Sequence, residues 1–185
     1  MFTIAIHGET LVKAFTYNNI PMELVQVPAT IWCGSIGYAP NLTDEPDIGG
    51  LLQKYQSQCH IPKLERANPD WSCCISIDYW QNGAVPRGMI FAQQVLSDKQ
   101  DPAHDIYTMP ESLYIRAAGT KAVAQAAFGK DECELWELFG VIAEAMNAEG
   151  YVIGTNGAQE IEMHDHTKYG MEDRPCFAYV QVMKK

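Results

Sequence analysis

The chain has 185 residues, 47% of them hydrophobic, which is enough to bury the core of one domain or of two small halves that share a core. Lys and Arg number 13 against 23 Asp and Glu, and a net charge of -10 has the wrong sign for neutralising a phosphate backbone. The composition therefore argues against direct binding of nucleic acid.

The sequence also bears on the compartment. Its first residues lack the basic segment of a signal peptide, and no apolar run approaches the length of a membrane span. The six cysteines include no CxxC pair, which favours free thiols in a reducing environment. We expect a cytoplasmic protein that does not associate with membranes.

The first half of the chain opens with an extension, residues 1–21, in which Phe2, Ile4 and Ile6 alternate and allow an extra strand. A strand is predicted over 27–32. The helix predicted over 47–55 has apolar residues at 48, 51, 52 and 55. Two further strands are predicted over 74–80 and 88–95.

The second half repeats this order. A strand is predicted over 109–115, and a helix follows in which Asp131 is the N-cap, Glu134 its capping-box partner and Gly150 the left-handed residue after the end. Strands over 159–165 and 176–183 complete the half. Turn-rich segments at 39–46, 81–86 and 98–104 are predicted loops.

Each half therefore reads β-α-β-β, with boundaries near 22–98 and 105–185. Neither helix could bury its apolar stripe without a sheet beneath it. The predicted fold class is α+β, built from two similar halves within one domain over 22–185.

Short motifs at corresponding places resemble a known family. They are Val27-Pro28-Ala29 and Met109-Pro110-Glu111, Leu135 to Phe139 in the second helix, Glu149-Gly150-Tyr151 before Ile161-Glu162-Met163, and the closing strand 177–182. Together they resemble the GyrI-like small-molecule-binding domains, which also form the effector-binding domains of AraC-type and MerR-type multidrug-responsive regulators. The resemblance spans roughly residues 22–183.

The resemblance implies a duplicated β-α-β-β fold with pseudo-two-fold symmetry. Antiparallel sheets and two main helices would surround a central pocket for lipophilic, often cationic compounds. A glutamate on the strand after the second helix commonly lies at the base of that pocket, and Glu162 has the matching position. The family often has Tyr two residues later, where this chain has His164.

Strand alternation puts Glu160, Glu162 and His164 on one face, and Ile161 and Met163 on the other. We expect Ile161 and Met163 to cover the helix, so that Glu162 points away from it. The plain alternative is an exposed strand carboxylate, but the resemblance favours a pocket. In an apolar pocket its pKa should rise unless a cation or a hydrogen-bond donor compensates.

The other predicted ligand-binding residues are one acid and several aromatic side chains, whose faces attract cations. They are Asp78, Trp80 and Phe91 in the first half, Tyr38 on the loop after the first strand, Trp136 and Phe139 on the second helix, and Phe177 and Tyr179 on the closing strand. For each aromatic residue the alternative is plain core packing.

Other chemistry has little support. His164 and His166 could share a face, but no third residue has metal-ligand spacing, so we expect no metal. Neither a Gly-x-Ser-x-Gly elbow nor a glycine-rich phosphate loop is present, and no cofactor is expected.

The predicted function is the binding of lipophilic, cationic small molecules by a free-standing or excised effector-binding module. Residues 1–21 are too few and too poor in bases for a helix-turn-helix. Two alternatives stay open: a hydrolase of reactive cytotoxic compounds with Glu162 as general base, and a protein-interaction module such as a topoisomerase inhibitor. The oligomeric state is open too, a homodimer included.

Overall fold

The structure is a computed structural model that describes residues 4–80, 85–155, 157–165 and 176–185. Within them the chain forms ten strands and three α-helices, and no described helix has the length and apolar character needed to cross a membrane. The strands are β1 (Thr10–Tyr17), β2 (Ile20–Val27), β3 (Thr30–Tyr38), β4 (Trp71–Ile77), β5 (Gly88–Val95), β6 (Asp105–Met109), β7 (Ser112–Ala118), β8 (Tyr151–Ile153), β9 (Ala158–Asp165) and β10 (Cys176–Lys184); the helices are α1 (Ile48–Gln58), α2 (Lys121–Phe128) and α3 (Leu135–Ala148).

The strands form one antiparallel sheet, so the predicted α+β class is confirmed. Its order is β1-β2-β7-β10-β9-β4-β5-β3-β6, and β8 pairs with the end of β10. From β2 to β6 this order is symmetric about its centre, which lies between β9 and β4. The strands then correspond in pairs: β2 with β6, β7 with β3, β10 with β5, and β9 with β4. This arrangement agrees with the predicted duplication, which remains a prediction.

Both proline motifs lie in turns between strands. Val27-Pro28-Ala29 joins β2 to β3, and Met109-Pro110-Glu111 joins β6 to β7. After each turn the chain pairs with the other half: Val27 lies opposite Ser112, and Thr30 lies opposite Met109. The sequence predicted one continuous strand through each motif. In the structure the proline, which has no amide hydrogen to donate to a β-ladder, lies between two separate strands.

Both faces of the central strands are buried. One face carries a core of Ile75, Ile90, Ile161 and Tyr179, to which Ile6 of the N-terminal segment also belongs. On the other face the helix α3 covers β7 and β10, where Leu138 and Ile142 join a second core with Ile115 and Val180. The rest of that second face, on β4, β5 and β9, faces the cavity described below.

Helix α1 packs against β3 and β5. Asp47 caps its N-terminus, since the side chain accepts a 3.0 Å hydrogen bond from the Gly50 amide. The helix approaches β3 closely at Gly37, where a Cβ atom would lie 2.8 Å from the Leu51 methyl carbons. A side chain at position 37 would push α1 away from the sheet.

The structure differs from the prediction in three local features. The N-cap of α3 is Glu134, in a capping box with Glu137, and not Asp131. Asp131 instead accepts a hydrogen bond from Gln125 of α2, a helix that the sequence reasoning did not predict. The extra strand of the extension is Thr10–Tyr17, whereas residues 4–9 form no strand and Phe2 lies outside the described residues. Gly150 does adopt the left-handed conformation, with φ of 84°.

Candidate functional site

A cavity of about 930 Å³ lies between the helices α1 and α3 and the outer face of the sheet. Its floor is formed by alternate residues of β4, β5 and β9, and its walls by the two helices and the segment after β4. The floor residues are Ser72, Cys74, Ser76, Met89, Phe91, Glu160, Glu162 and His164; the wall residues include Ile48, Leu52, Tyr55, Tyr79, Trp80, Trp136, Phe139 and Gly140.

Strand register explains why two carboxylates meet at the floor. On β9 the side chains of Glu160 and Glu162 point to the cavity, while Ile161 between them lies in the core. Across the ladder Glu160 lies opposite Ser76, and Glu162 lies opposite Cys74. Small side chains on β4 thus leave room above the two carboxylates.

Glu160 is the buried carboxylate of the cavity, with 8% of its surface exposed. Its Oε1 accepts a 2.9 Å hydrogen bond from Nε1 of Trp80. Burial raises the pKa of the Glu160 carboxyl to about 7; hydrogen bonds from Trp80 and Ser76 act against this rise, and the neighbouring Glu162 adds to it. Glu160 is therefore poised to change its charge near neutral pH.

Glu162 lies nearer the solvent, with a side chain that is 22% exposed. Its Oε2 is 3.4 Å from Nε2 of His164, two residues along the same face. The floor around Glu162 is negatively charged, and this affects the neighbouring Cys74. Burial raises the pKa of the Cys74 thiol, and the charges of Glu162 and Glu160 raise it further. Cys74 accordingly stays protonated and donates weakly to the Met89 sulfur at 3.0 Å.

The walls expose apolar surface to the cavity. No residue of α1 is buried, and its Ile48 and Leu52 are 43% and 37% exposed. On α3, Trp136 is 62% exposed, and beyond it Gly140 leaves a gap, since a Cβ atom at this position would have nothing within 4 Å. Two helices with uncovered apolar residues facing each other are typical of a small-molecule site.

Five of the nine residues predicted from the sequence line this cavity. They are Glu162, Trp80, Trp136, Phe91 and Phe139. The other four, Phe177, Tyr179, Tyr38 and Asp78, are not among its lining residues.

Phe177 and Tyr179 lie on the opposite face of the sheet. Ala178, and not its neighbours, is the residue paired with Glu162, so Phe177 and Tyr179 share the core with Met163 and Ile161. The prediction put the helix on the Ile161 side; in the structure the helices and Glu162 are on the same side. The alternation was right, and the choice of the helix-covered face was wrong.

Tyr179 has a structural partner in that core. Arg116 donates hydrogen bonds to Glu9, Glu23 and the Tyr179 hydroxyl, at 2.7 Å to Glu23 and 3.0 Å to Tyr179. The hydroxyl of Tyr179 in turn donates to Glu9 at 3.0 Å. This buried ion network fastens the N-terminal segment to the sheet and leaves Tyr179 fully enclosed.

Asp78 and Tyr38 lie at strand ends. Asp78 follows β4 with φ of 59°, and its amide donates to the Gly157 carbonyl at 3.0 Å. This left-handed residue turns the chain so that Trp80, two residues on, reaches Glu160. Tyr38 ends β3 beside Gly88 and is 56% exposed.

Sequence reasoning missed Glu160 as a site residue, although the same parity argument placed it beside Glu162. It also missed the walls made by Tyr55 and Tyr79. In the described part of the chain no cluster of three or more His, Cys, Asp or Glu could hold a metal ion. His166, the second histidine of the metal hypothesis, lies outside the described residues.

No family model and no curated protein matches the sequence. Solved structures do share its fold. A candidate bacterial transcription regulation protein from Staphylococcus aureus MU50 aligns over 88% of this chain and 98% of its own, with 14% identity and a TM-score of 0.58.

Two further structures are similar. The protein SAV2435, solved bound to tetraphenylphosphonium, aligns over 88% of this chain and 93% of its own, with 13% identity and a TM-score of 0.58. An integron cassette protein from the mobile metagenome of Vibrio cholerae covers 88% of this chain and 95% of its own, with 10% identity and a TM-score of 0.52. At these identities the likeness concerns the fold alone, and the chain shares the fold of these three structures.

Proposed function

We propose that the chain binds lipophilic organic cations in the cavity between α1 and α3, as the effector-binding module of a transcription regulator. The observation that carries the proposal is the charge of the lining. Glu160 and Glu162 are in it without a Lys or Arg among the described lining residues, while the third acid, Glu45, is paired with Arg87 outside the lining. Around these carboxylates the walls are apolar and aromatic.

The size and shape of the cavity agree with a ligand of drug or dye size. Small-molecule pockets commonly measure about 300–1,000 Å³, and 930 Å³ lies at the upper end of this range. Binding of tetraphenylphosphonium by SAV2435, which shares the fold, supports a cation with bulky aromatic groups. A wide cavity with few directional polar groups should accept several such ligands.

Within the cavity the two carboxylates have different positions. Glu160 is enclosed beneath Trp80, and Glu162 lies closer to the entrance with His164 beside it. We infer that Glu160 supplies charge complementarity to a fully desolvated cation, where it is strongest. Glu162 contributes to the attraction at the entrance.

Aromatic rings add to the attraction. Trp80, Phe91, Trp136 and Phe139 present faces or edges to the same space, and a cation over such a face gains about 0.5–2 kcal/mol, depending on its desolvation. Together with Glu160 and Glu162 they are the proposed ligand-binding residues. Phe177, Tyr179, Tyr38 and Asp78 are left out because they do not line the cavity.

The proposal is tested by calorimetric titration at pH 8 with tetraphenylphosphonium and with tetraphenylborate, which has the same shape and the opposite charge. We expect saturable binding of the cation at micromolar concentration and at least tenfold weaker binding of the anion. Glu160→Gln should weaken cation binding roughly tenfold or more. Glu144→Gln, on the exposed face of α3, is the matched control and should bind as the wild type does.

Equal affinity for tetraphenylphosphonium and tetraphenylborate would mean that the cavity binds by apolar contact and does not select its ligand by charge. Absence of binding for both would contradict the proposed function. A loss of equal size in Glu144→Gln would mean that the overall negative charge, and not the cavity, attracts the cation.

One observation favours a second function, the hydrolysis of a reactive ring. A carboxylate is most effective as a general base when its pKa lies near the working pH, and the pKa of Glu160 is raised to about 7. Styrene oxide is a suitable probe because its strained ring opens to a diol when a base activates water. Diol formation that is lost in Glu160→Gln would support an enzyme; a rate equal to that without protein would exclude this substrate class.

A further inference from the structure

The floor of the cavity holds two carboxylates but no fixed cation. Glu160 and Glu162 lie two residues apart on one face of β9, and no Lys or Arg is present in the described lining to neutralise them. Two like charges in an enclosed space favour retention of a proton by one of them. In the absence of a ligand, this proton neutralises one of the two carboxylates.

The enclosure of Glu160 makes it the site of that proton. Glu160 is buried, with 8% of its surface exposed, whereas Glu162 is only partly buried. Nonetheless, Glu160 has the donors that a carboxylate needs, since the Trp80 indole donates to it and Ser76 lies opposite it in the ladder. The site is therefore built to hold Glu160 in either state, protonated when empty and ionised beside a cation.

We propose that the cavity is a proton-for-cation exchange site, in which a permanently charged lipophilic cation displaces the proton of Glu160 into solution. This inference rests on the proposed function. In the exchange the carboxyl O–H bond breaks, the proton passes to water or buffer, and the carboxylate becomes the counter-ion of the bound cation. The net charge of the occupied cavity then equals that of the empty one.

Several other titratable groups face Glu160 from the elements packed around it. Glu162 and His164 lie on β9 itself, Cys74 on β4, Tyr79 after β4 and Tyr55 on α1. Glu45, before α1, forms an ion pair with Arg87, whose guanidinium lies 5.3 Å from the ring centroid of Tyr79. On β10 the residue opposite Glu160 is the apolar Val180, and α3 contributes Trp136, Phe139 and Gly140.

Of these groups only His164 carries an imidazole, a second type of side chain that binds protons in proteins. Its Nε2 lies 3.4 Å from Oε2 of Glu162, on the same face of β9 as Glu160. Cys74 does not compete, because burial and the two glutamates raise the pKa of its thiol. The experiment must therefore separate Glu160 from His164.

The test is calorimetric titration with tetraphenylphosphonium at pH 6.5 in phosphate, imidazole and Tris, buffers that differ in ionisation enthalpy. The ligand has no proton of its own, so the slope of the observed heat against this enthalpy counts protons released by the protein. With a pKa of about 7 in the empty site, we expect about 0.7 proton per ligand at pH 6.5. The affinity should fall roughly 10- to 30-fold from pH 8 to pH 5.5.

Variants then assign the proton. Glu160→Gln should bind more weakly, release no proton and lose the pH dependence, whereas His164→Gln should release as much as the wild type. Glu162→Gln should shift the release to lower pH, because Glu162 is one cause of the raised pKa of Glu160. Glu144→Gln, exposed on α3, is the control and should leave the release unchanged.

Heats that do not depend on the buffer in a wild type that binds the cation would overturn the exchange and leave the binding function intact. Release that persists in Glu160→Gln and disappears in His164→Gln would also overturn it. If tetraphenylphosphonium does not bind at all, the proposed function itself fails.

Discussion

Nε1 of Trp80 donates a hydrogen bond of 2.9 Å to Oε1 of Glu160, and this bond joins the segment after β4 to the floor of the cavity. The backbone of Trp80 is held as well, because its amide donates to the side chain of Gln159 at 2.8 Å. Gln159 in turn donates to the Gly154 carbonyl. The donor that stabilises the buried charge is thus held to β9 through both its backbone and its side chain.

Trp80→Phe keeps a smaller aromatic side chain in the wall and removes the hydrogen-bond donor. Since the bond favours the ionised form of Glu160, its loss should raise the carboxyl pKa further. We expect roughly tenfold weaker binding of tetraphenylphosphonium at pH 7, given about 1.5–3 kcal/mol for a hydrogen bond to a charged group. At pH 9, where the carboxylate is already ionised in the empty site, the difference should shrink.

Trp136→Phe is the control for this prediction, measured by the same titrations at pH 7 and 9. Trp136 lines the cavity from α3, and any loss from its truncation should be equal at the two pH values. A pH-independent loss in Trp80→Phe as well would show that the indole acts through its ring surface and not through the hydrogen bond.

The free protein should become less stable as pH rises through the range in which Glu160 ionises. The pKa of Glu160 is about 7 in the folded chain and near 4.5 when unfolded, so between these values the folded state binds the extra proton. Its contribution to the free energy of unfolding is therefore complete below pH 4.5 and declines until about pH 7. Above this the buried charge costs on the order of 1–3 kcal/mol.

Glu160→Gln removes this titration. We expect the variant to be more stable than the wild type at pH 8, with a difference that disappears towards pH 4.5, as measured by urea unfolding across the range. Glu144→Gln, on the exposed face of α3, should follow the wild-type curve. If the difference in the free energy of unfolding between the wild type and Glu160→Gln does not change with pH, the pKa of Glu160 is not raised.

The sequence predicted β5, β9 and β10 to within a residue, because β5 and β10 are largely apolar and β9 alternates between polar and apolar residues. It also placed Glu160, Glu162 and His164 on one face. What it could not supply was the side on which the helices lie. Both faces of β10 are apolar, with Phe177 and Tyr179 on one and Ala178 and Val180 on the other, and alternation alone does not say which face a helix covers.

For a related reason, the sequence could not show that strands of one half pair with strands of the other half. Residues 20–27 and 30–38 are two strands joined by a proline turn, and each pairs with a strand of the other half. Such pairing leaves no local pattern. The Arg116 network, which joins Glu9 to residues more than 100 positions away, is equally invisible in the spacing.

Arg116 should be essential for stability. Arg116→Met would leave Glu9 and Glu23 buried without their cation, since their side chains are 2% and 4% exposed. We expect a loss of about 3–5 kcal/mol in the free energy of unfolding by urea. Adding Glu9→Gln and Glu23→Gln should recover part of this loss, because the uncompensated charges are then gone.

Lys121→Met is the matched control, for Lys121 and Asp131 form an ion pair on the surface and are 60% and 70% exposed. Its loss should lie between 0 and about 1 kcal/mol. Equal losses in Arg116→Met and Lys121→Met would mean that the network is solvated and does not hold the N-terminal segment.

Gly140 is expected to keep the cavity open at the cost of helix stability. It lies within α3 and lines the cavity, and a Cβ atom at this position would have nothing within 4 Å. Glycine in a helix interior is about 0.5–1 kcal/mol less favourable than alanine. Gly140→Ala should therefore raise the free energy of unfolding by about this amount and change tetraphenylphosphonium affinity less than twofold, because a methyl group fills little of 930 Å³.

Gly140→Phe should bind tetraphenylphosphonium at least tenfold more weakly, because its ring would occupy the space between α3 and the floor. Gly140→Ala controls for the change in helix propensity, and urea unfolding of both variants controls for folding. If Gly140→Phe is folded and binds tetraphenylphosphonium as tightly as the wild type, the ligand lies elsewhere and the cavity is not the binding site. A second outcome combines two results: Gly140→Phe binds tetraphenylphosphonium more weakly, and Glu160→Gln no longer prefers it over tetraphenylborate. The same cavity would then select its ligand by both shape and charge, since Gly140 and Glu160 line it together.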